Sequence, residues 1–125
     1  MRRRPNTRKQ GQDYEQTALE YLEPRGFALL ARNFSARTGE IDLIGRHAGC
    51  LVFVEVRARS NPRYCSARAS VNCAKQQRIL RTAQVFLQRH QQYTNTPCRF
   101  DVIAFEPPQS GTELEILWLR GAFTA

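Results

Sequence analysis

Two segments of the chain repeat apolar residues at the three- and four-residue spacing of an amphipathic helix. The first is Asp13 to Leu22 and the second is Cys73 to His90. Their apolar faces carry Tyr14, Ala18, Tyr21 and Leu22, and then Ile79, Leu80, Ala83, Phe86 and Leu87. This periodicity predicts two helices that each bury one side, the first of which ends at Pro24 and Gly26.

Shorter runs of apolar and β-branched residues predict strands. They are Phe27 to Phe34, Gly39 to Ile44, Leu51 to Arg57, Phe100 to Phe105 and Glu113 to Leu119. A turn is expected at Ala48-Gly49. The order αβββαββ predicts an α/β protein with a mixed central sheet of about five strands and flanking helices.

The length of 125 residues fits one compact domain. Residues 1–11 are polar and basic and predict a flexible arm. We expect residues 12–121 to form a single domain and residues 122–125 to form a short tail.

The chain carries 19 basic and 11 acidic residues, which gives a net charge of +8. Such a balance favours polyanionic partners, nucleic acid first among them. The alternative is a solubilising basic arm joined to an ordinary surface, because five of the positive charges lie in the first nine residues.

The four cysteines show neither a C-x-x-C pair nor histidines at zinc-finger spacing. We expect free thiols, as in a reducing compartment. No apolar run approaches the ~20 residues of a membrane helix, and no apolar segment follows the basic start as in a secretory signal. The sequence therefore predicts a cytoplasmic protein without membrane association.

Two acids interrupt the apolar hairpin of the second and third strands. Alternation places Ile41 and Leu43 on one face of the second strand and Asp42 on the other. If Ala48 and Gly49 form a two-residue loop, Asp42 lies opposite Glu55 with Cβ atoms ~5 Å apart. Converging carboxylates need a counter-charge. Mg²⁺ or Mn²⁺ would supply it, and so would a structural ion pair with Arg57 or Arg59.

These residues also carry a family resemblance. The sequence from Gly39 to Ile44, G-E-I-D-L-I, and that from Val52 to Arg57, V-F-V-E-V-R, resemble the PD-(D/E)xK signature of restriction-endonuclease-like nucleases. More closely, the chain resembles the bacterial YraN-like family, which is similar to archaeal Holliday-junction resolvases. The resemblance covers nearly all of the chain from Gly11 to Asp101.

The resemblance implies a restriction-endonuclease-like fold and a metal-dependent endonuclease of DNA, duplex or branched, with RNA a less favoured substrate. Asp42, Glu55 and the main-chain carbonyl of Val56 would hold Mg²⁺ or Mn²⁺. Glu15 would approach from the first helix, where it borders the buried face; alternatively it interacts only with the helix dipole. Cleavage of both strands would require two sites and hence a homodimer.

The resemblance departs at Arg57, where the family pattern has lysine. Arginine keeps its proton, so Arg57 cannot act as a general base, although it can bind the scissile phosphate or stabilise the transition state. The alternative function is a DNA-binding module that keeps the nuclease fold but cuts weakly or not at all. Lys75, at the start of the second helix, either projects toward the same site or has a capping or surface role.

Basic residues follow Glu55 closely along the chain. The expected nucleic-acid-binding residues are Arg57, Arg59, Arg63, Arg68 and Lys75. A solvated loop is the alternative for this segment. Glu40 is expected near the surface or beside the metal ligands, and Asp101 either supports the site or pairs with Arg99.

Overall fold

A computed structural model describes the backbone of residues 7–58, 72–106 and 115–124, and the side chains of residues 14–58, 72–105 and 115–124. It contains a five-stranded sheet with the strand order β1-β2-β3-β4-β5. The elements are α1 (Thr7–Leu22), β1 (Ala28–Ala36), β2 (Gly39–His47), β3 (Cys50–Ala58), α2 (Cys73–Arg89), β4 (Cys98–Glu106) and β5 (Glu115–Phe123), with short 3₁₀ turns at Glu23–Arg25 and Gln91–Tyr93. This architecture confirms the predicted α/β class.

The sheet is mixed because β3 and β4 run parallel, whereas the other neighbouring strands are antiparallel. Parallel neighbours need a long crossover connection, and α2 lies in the segment that connects β3 to β4. No helix in the described ranges is long and apolar enough to cross a membrane.

The two helices cover opposite faces of the sheet. One buried cluster joins α1 to side chains such as Leu43, Val52 and Val54. The other joins α2 to the alternate side chains, including Ile44 and Phe53. Because β3 is buried on both faces, it reads as a nearly continuous apolar run.

The β2–β3 hairpin has the predicted register. His47 pairs with Cys50, and the loop residues Ala48 and Gly49 have φ values of 50° and 78°. Two successive left-handed residues give the tight turn that suits the twist of antiparallel strands.

The ladder between β2 and β3 ends at the pair Leu43–Val54, one position before the acids. The expectation that Ile41 and Leu43 share a face is wrong, because Ile41 packs in the α2-side cluster and Leu43 in the α1-side cluster. Strict alternation fails where β2 stops pairing with β3 while it continues to pair with β1.

The first helix begins at Thr7 rather than at Asp13, so it includes residues 7–11 of the predicted arm. The added segment is polar and contains Gly11, so it has no apolar periodicity that would reveal a helix. Residues 1–6 lie outside the described part of the chain.

The final strand continues past Gly121, where a tail was expected. Gly121 has a φ of 58°, and the register of β4 with β5 shifts between Phe100 and Val102. Beyond this irregularity the ring of Phe123 stacks on Phe100 with centroids 5.3 Å apart. A local bulge therefore lets the strand resume after a glycine that a sequence pattern marks as a breaker.

Candidate active site

Four elements bring charged side chains together where β2 and β3 separate. Glu15 comes from α1, Asp42 from β2, Glu55 from β3 and Lys75 from α2. Two neighbouring cavities of about 270 Å³ each open here, and Asp42, Glu55 and Lys75 line both of them. The first cavity adds Glu15, Val56 and Arg57. The second adds Glu40 and Arg78.

Asp42 closes the gap at the end of the β2–β3 ladder. Its Oδ2 accepts a hydrogen bond from the backbone N–H of Val56 at 2.8 Å. The carboxylate thus satisfies a main-chain donor immediately beyond the last strand pair. The sequence arithmetic placed Asp42 opposite Glu55, and the structure brings both acids to the same cavities, although no ladder pair joins them.

Glu55 is buried and faces two cations. The Nζ of Lys75 lies 3.1 Å from Glu55 Oε1, and Arg57 Nη2 lies 3.4 Å from the same oxygen. The sequence offered a structural ion pair between Glu55 and Arg57 as one alternative, and this ion pair is present. The sequence also left open whether Lys75 projects toward the site, and its ammonium does so.

Glu15 is buried with 7% exposure, although it carries a carboxylate. Its Oε2 is enclosed and has no hydrogen-bond partner. Beside it, Tyr14 packs against Phe105 with ring centroids 5.0 Å apart, which holds this turn of α1 against the sheet. A buried carboxylate oxygen without a donor is costly unless a proton or a cation reaches it.

Asp42 and Glu55 both have raised pKa values. Burial, with the nearby charges of Glu15 and Glu40, raises the pKa of Asp42 to about 7, although the Val56 hydrogen bond acts in the opposite direction. Burial and the charge of Asp42 raise the pKa of Glu55 to about 8, while Arg57 opposes the rise. Such perturbed acids in a cleft are typical of functional sites and costly as purely structural groups.

The donor set fits a hard divalent cation that keeps part of its water shell. In the described ranges, no group of three or more His, Cys, Asp or Glu side chains is arranged to hold a metal ion. Mg²⁺, however, is commonly bound through one or two carboxylates, with water and substrate phosphate completing the shell. Asp42 and Glu55 could supply two such carboxylates, and the Glu15 side chain lines the same cavity.

The other predicted residues fall into two groups. Glu40 is exposed at the rim of the second cavity, as the sequence suggested. Arg59, Arg63 and Arg68 lie outside the described residues, so their predicted phosphate contacts remain predictions.

Asp101 belongs to a second buried polar cluster and lines neither cavity. Its carboxylate accepts hydrogen bonds from Nε and Nη2 of Arg99, from Trp118 Nε1 at 2.8 Å and from the Gly121 N–H at 2.9 Å. Of the two alternatives for Asp101, the pairing with Arg99 is the one observed.

Sequence patterns missed most members of this second cluster. Arg99 also donates to His47 Nδ1 at 2.9 Å, so this ring nitrogen acts as an acceptor. Burial and the charges of Arg99 and Arg120 lower the pKa of His47, which favours the neutral ring. Along β2, His47 follows Leu43 and Gly45 at the two-residue spacing of one strand face. This spacing was the sequence signal that His47 would be buried.

The fold and the site together define an α/β protein with a buried carboxylate cluster beside basic side chains, at the point where the inner strands β2 and β3 separate. The chain belongs to the Uncharacterised protein family UPF0102, whose model matches residues 14–105. This membership confirms the resemblance to YraN-like proteins.

Curated relatives match over nearly the whole chain. A UPF0102 protein of Janthinobacterium sp. (strain Marseille) is 47% identical, and the match covers 98% of this chain and 94% of the relative. A UPF0102 protein of Yersinia enterocolitica is 48% identical over 94% of this chain and 97% of the relative. These names give a family and no activity, so function has to be inferred from the geometry of the site.

Proposed function

We propose that this protein is a metal-dependent endonuclease that hydrolyses phosphodiester bonds of DNA, either duplex or branched. The observation that carries the proposal is the convergence of Glu15, Asp42 and Glu55 with Arg57 and Lys75 around one cavity. Buried acids that would hold a cation, placed beside positively charged side chains, suit a substrate that is a phosphate diester.

Asp42, Glu55 and the carbonyl of Val56 would hold the Mg²⁺ or Mn²⁺, with Glu15 close to the same position. A bound divalent ion supplies Lewis acidity, which lowers the pKa of water and offsets charge on the phosphate. Because the pKa values of Asp42 and Glu55 are raised, a divalent ion would compete with protons for these two carboxylates. Binding of the divalent ion would therefore release protons from the site.

Arg57 would contribute to phosphate binding and to charge stabilisation. Its guanidinium is protonated at any relevant pH, so it cannot remove a proton from water. Its side chain lines the cavity and is 25% exposed, so its guanidinium N–H groups can reach a ligand oxygen there. A phosphate oxygen would accept hydrogen bonds from them.

The charge of the whole chain supports a polyanionic substrate. The net charge of +8 would favour association with DNA and make binding sensitive to salt. Within this proposal the protein acts in the cytoplasm, and cleavage of both strands would be carried out by a homodimer.

The second candidate function is a DNA-binding module that does not cut. It is favoured by arginine at position 57, where the nuclease pattern has lysine, and by the pairing of Arg57 with Glu55. This candidate predicts salt-sensitive DNA binding with no cleavage.

A cleavage assay with matched variants tests the proposal. Purified protein would be incubated with an end-labelled four-way junction and with its linear duplex, in Mn²⁺ and in chelator. We expect metal-dependent cutting that Asp42→Ala and Glu55→Ala each abolish. Glu20→Gln is the control because Glu20 is an exposed carboxylate of α1 that lines neither cavity. Near-wild-type cutting by either alanine variant would exclude this site, and binding without cutting would support the second candidate.

A further inference from the structure

Lys75 is held at the site by the start of α2. Asn72 caps this helix, and its side-chain oxygen accepts a hydrogen bond from the Lys75 N–H at 3.0 Å. The cap fixes the backbone of Lys75, while the four-carbon side chain stays adjustable. Its side chain is 28% exposed, so the ammonium reaches both Glu55 and solvent.

The ammonium of Lys75 is at the position that a metal would have to approach. It lies 3.1 Å from Glu55 Oε1, which is closer than the Arg57 guanidinium at 3.4 Å. A divalent ion bound to the same oxygen would meet a positive charge within contact distance. Because the site is largely buried, that repulsion would be only weakly screened by solvent.

We propose that Lys75 is a displaceable internal cation, whose ammonium neutralises Glu55 in the metal-free protein and leaves Glu55 when a divalent ion binds. This inference rests on the proposed function, since it takes Glu55 as a metal ligand. It assigns Lys75 a positioning role that acts through Glu55 before substrate arrives. Metal binding and the release of Lys75 are then a single event.

The released ammonium has a defined place to go. Lys75 lines both cavities, so a rotation of its side chain can carry the charge away from Glu55 and toward Glu40, which lines the second cavity. Arg57 is less free, because its Nε is enclosed. Glu40 in the second cavity, or a phosphate group beside the metal, would then replace Glu55 as the partner of Lys75.

Metal affinity in the absence of DNA is the decisive measurement. Lys75→Gln keeps the capped backbone and removes the competing charge. We expect its affinity for Mn²⁺, measured by isothermal titration calorimetry, to rise roughly tenfold above that of the wild-type protein, because the ion no longer displaces an ion pair. Its affinity for the four-way junction in Mn²⁺ should fall.

Arg78→Gln is the matched control. Arg78 lies on the same helix, lines the second cavity and carries the same charge, but the described residues include no ion pair between Arg78 and Glu55. A general loss of positive charge would raise Mn²⁺ affinity equally in both variants. If the metal displaces Lys75 from Glu55, Mn²⁺ affinity must rise more in Lys75→Gln than in Arg78→Gln. Equal increases in the two variants would overturn the inference.

A second measurement follows Lys75 directly. The chain has only two lysines, Lys9 and Lys75, so ¹³C-lysine labelling gives two side-chain signals. We expect the Lys75 signal to shift during a Mg²⁺ titration in wild-type protein and to stay unchanged in Glu55→Gln. The inference about Lys75 would be overturned if its signal did not shift despite bound Mg²⁺. It would also be overturned if the Mn²⁺ affinity of Lys75→Gln were no higher than that of the wild-type protein. Neither result would refute the proposed function. No divalent-ion binding to any folded variant would instead refute the proposed function.

Discussion

The carboxylate of Asp42 and the backbone N–H of Val56 form a 2.8 Å hydrogen bond at the point where β2 and β3 stop pairing. This contact gives Asp42 two duties. One oxygen replaces a lost strand partner for the main chain, while the charge of the group contributes to the buried acidic cluster. The two duties can be separated by mutation, because an amide keeps an acceptor oxygen and removes the charge.

Asp42→Asn is therefore expected to bind no Mn²⁺ and yet to be more stable than the wild-type protein at pH 8. Its amide oxygen can still accept from Val56, and the repulsion from neighbouring acids is removed. We expect the free energy of unfolding in urea to rise by about 1–2 kcal/mol, as is common when a functional charge is removed. Asp42→Ala, which lacks the acceptor, should show no such gain. Wild-type Mn²⁺ affinity in Asp42→Asn would contradict the proposed ligand role.

The raised pKa values of Asp42 and Glu55 predict that metal-free protein loses stability as the pH increases. With folded-state pKa values of about 7 and about 8, the folded chain binds more protons than the unfolded chain above the ordinary carboxyl range. The stabilisation is fully present below the unfolded-state pKa values and is lost as the pH rises through 7 to 8. Urea denaturation at pH 5 and pH 8 measures this loss.

The double variant Asp42→Asn, Glu55→Gln is the control for the pH effect, since neither replacement titrates. Its unfolding free energy should change less between pH 5 and pH 8 than that of the wild-type protein. In the wild-type protein, saturating Mg²⁺ should restore at pH 8 the unfolding free energy that was lost there, because a bound ion stabilises the folded state by mass action. An identical pH dependence in the double variant would refute the assignment of the effect to these two carboxyls.

Arg57→Lys is expected to increase the rate of cleavage. Lysine can lose its proton and is shorter than arginine, so it restores the residue type of the nuclease pattern at this position. The measurement is the single-turnover rate on a labelled junction at saturating Mn²⁺. Arg57→Gln, which removes the charge, should lower both the rate and the affinity for DNA. An unchanged rate in Arg57→Lys would show that position 57 does not take part in the chemical step.

Asp101→Ala is expected to destabilise the fold severely without acting on the metal site. Asp101 is fully buried and accepts from Arg99, Trp118 and Gly121. Its removal leaves a guanidinium and two further donors without their partner, which costs about 3–5 kcal/mol in unfolding free energy. Urea denaturation measures the loss. Mn²⁺ affinity below the transition should match that of the wild-type protein, and a specific loss of affinity would place Asp101 in the site.

Local rules predicted the hairpin and its acids. Two turn-forming residues, Ala48 and Gly49, fix the register, and the register carries Asp42 to the neighbourhood of Glu55. Each step depends only on residues within one β-hairpin. For this reason the sequence was sufficient to predict that Asp42 and Glu55 lie close together.

Features that depend on distant parts of the chain could not be predicted in the same way. The contact between Lys75 and Glu55 requires α2 to dock on the sheet, so sequence spacing offered it only as one of two alternatives. The continuation of β5 past Gly121 depends on the carboxylate of Asp101, which accepts from the Gly121 N–H. Tertiary contacts of this kind override a local breaker signal.

The site draws on both layers of helix around the sheet, with Glu15 supplied from one side and Lys75 from the other. A partly folded chain that lost either helix could keep its sheet and still lack a complete binding cavity. Mn²⁺ titration would therefore serve as a sensor of native assembly, and loss of metal affinity during denaturation should coincide with, or precede, the melting of the strands.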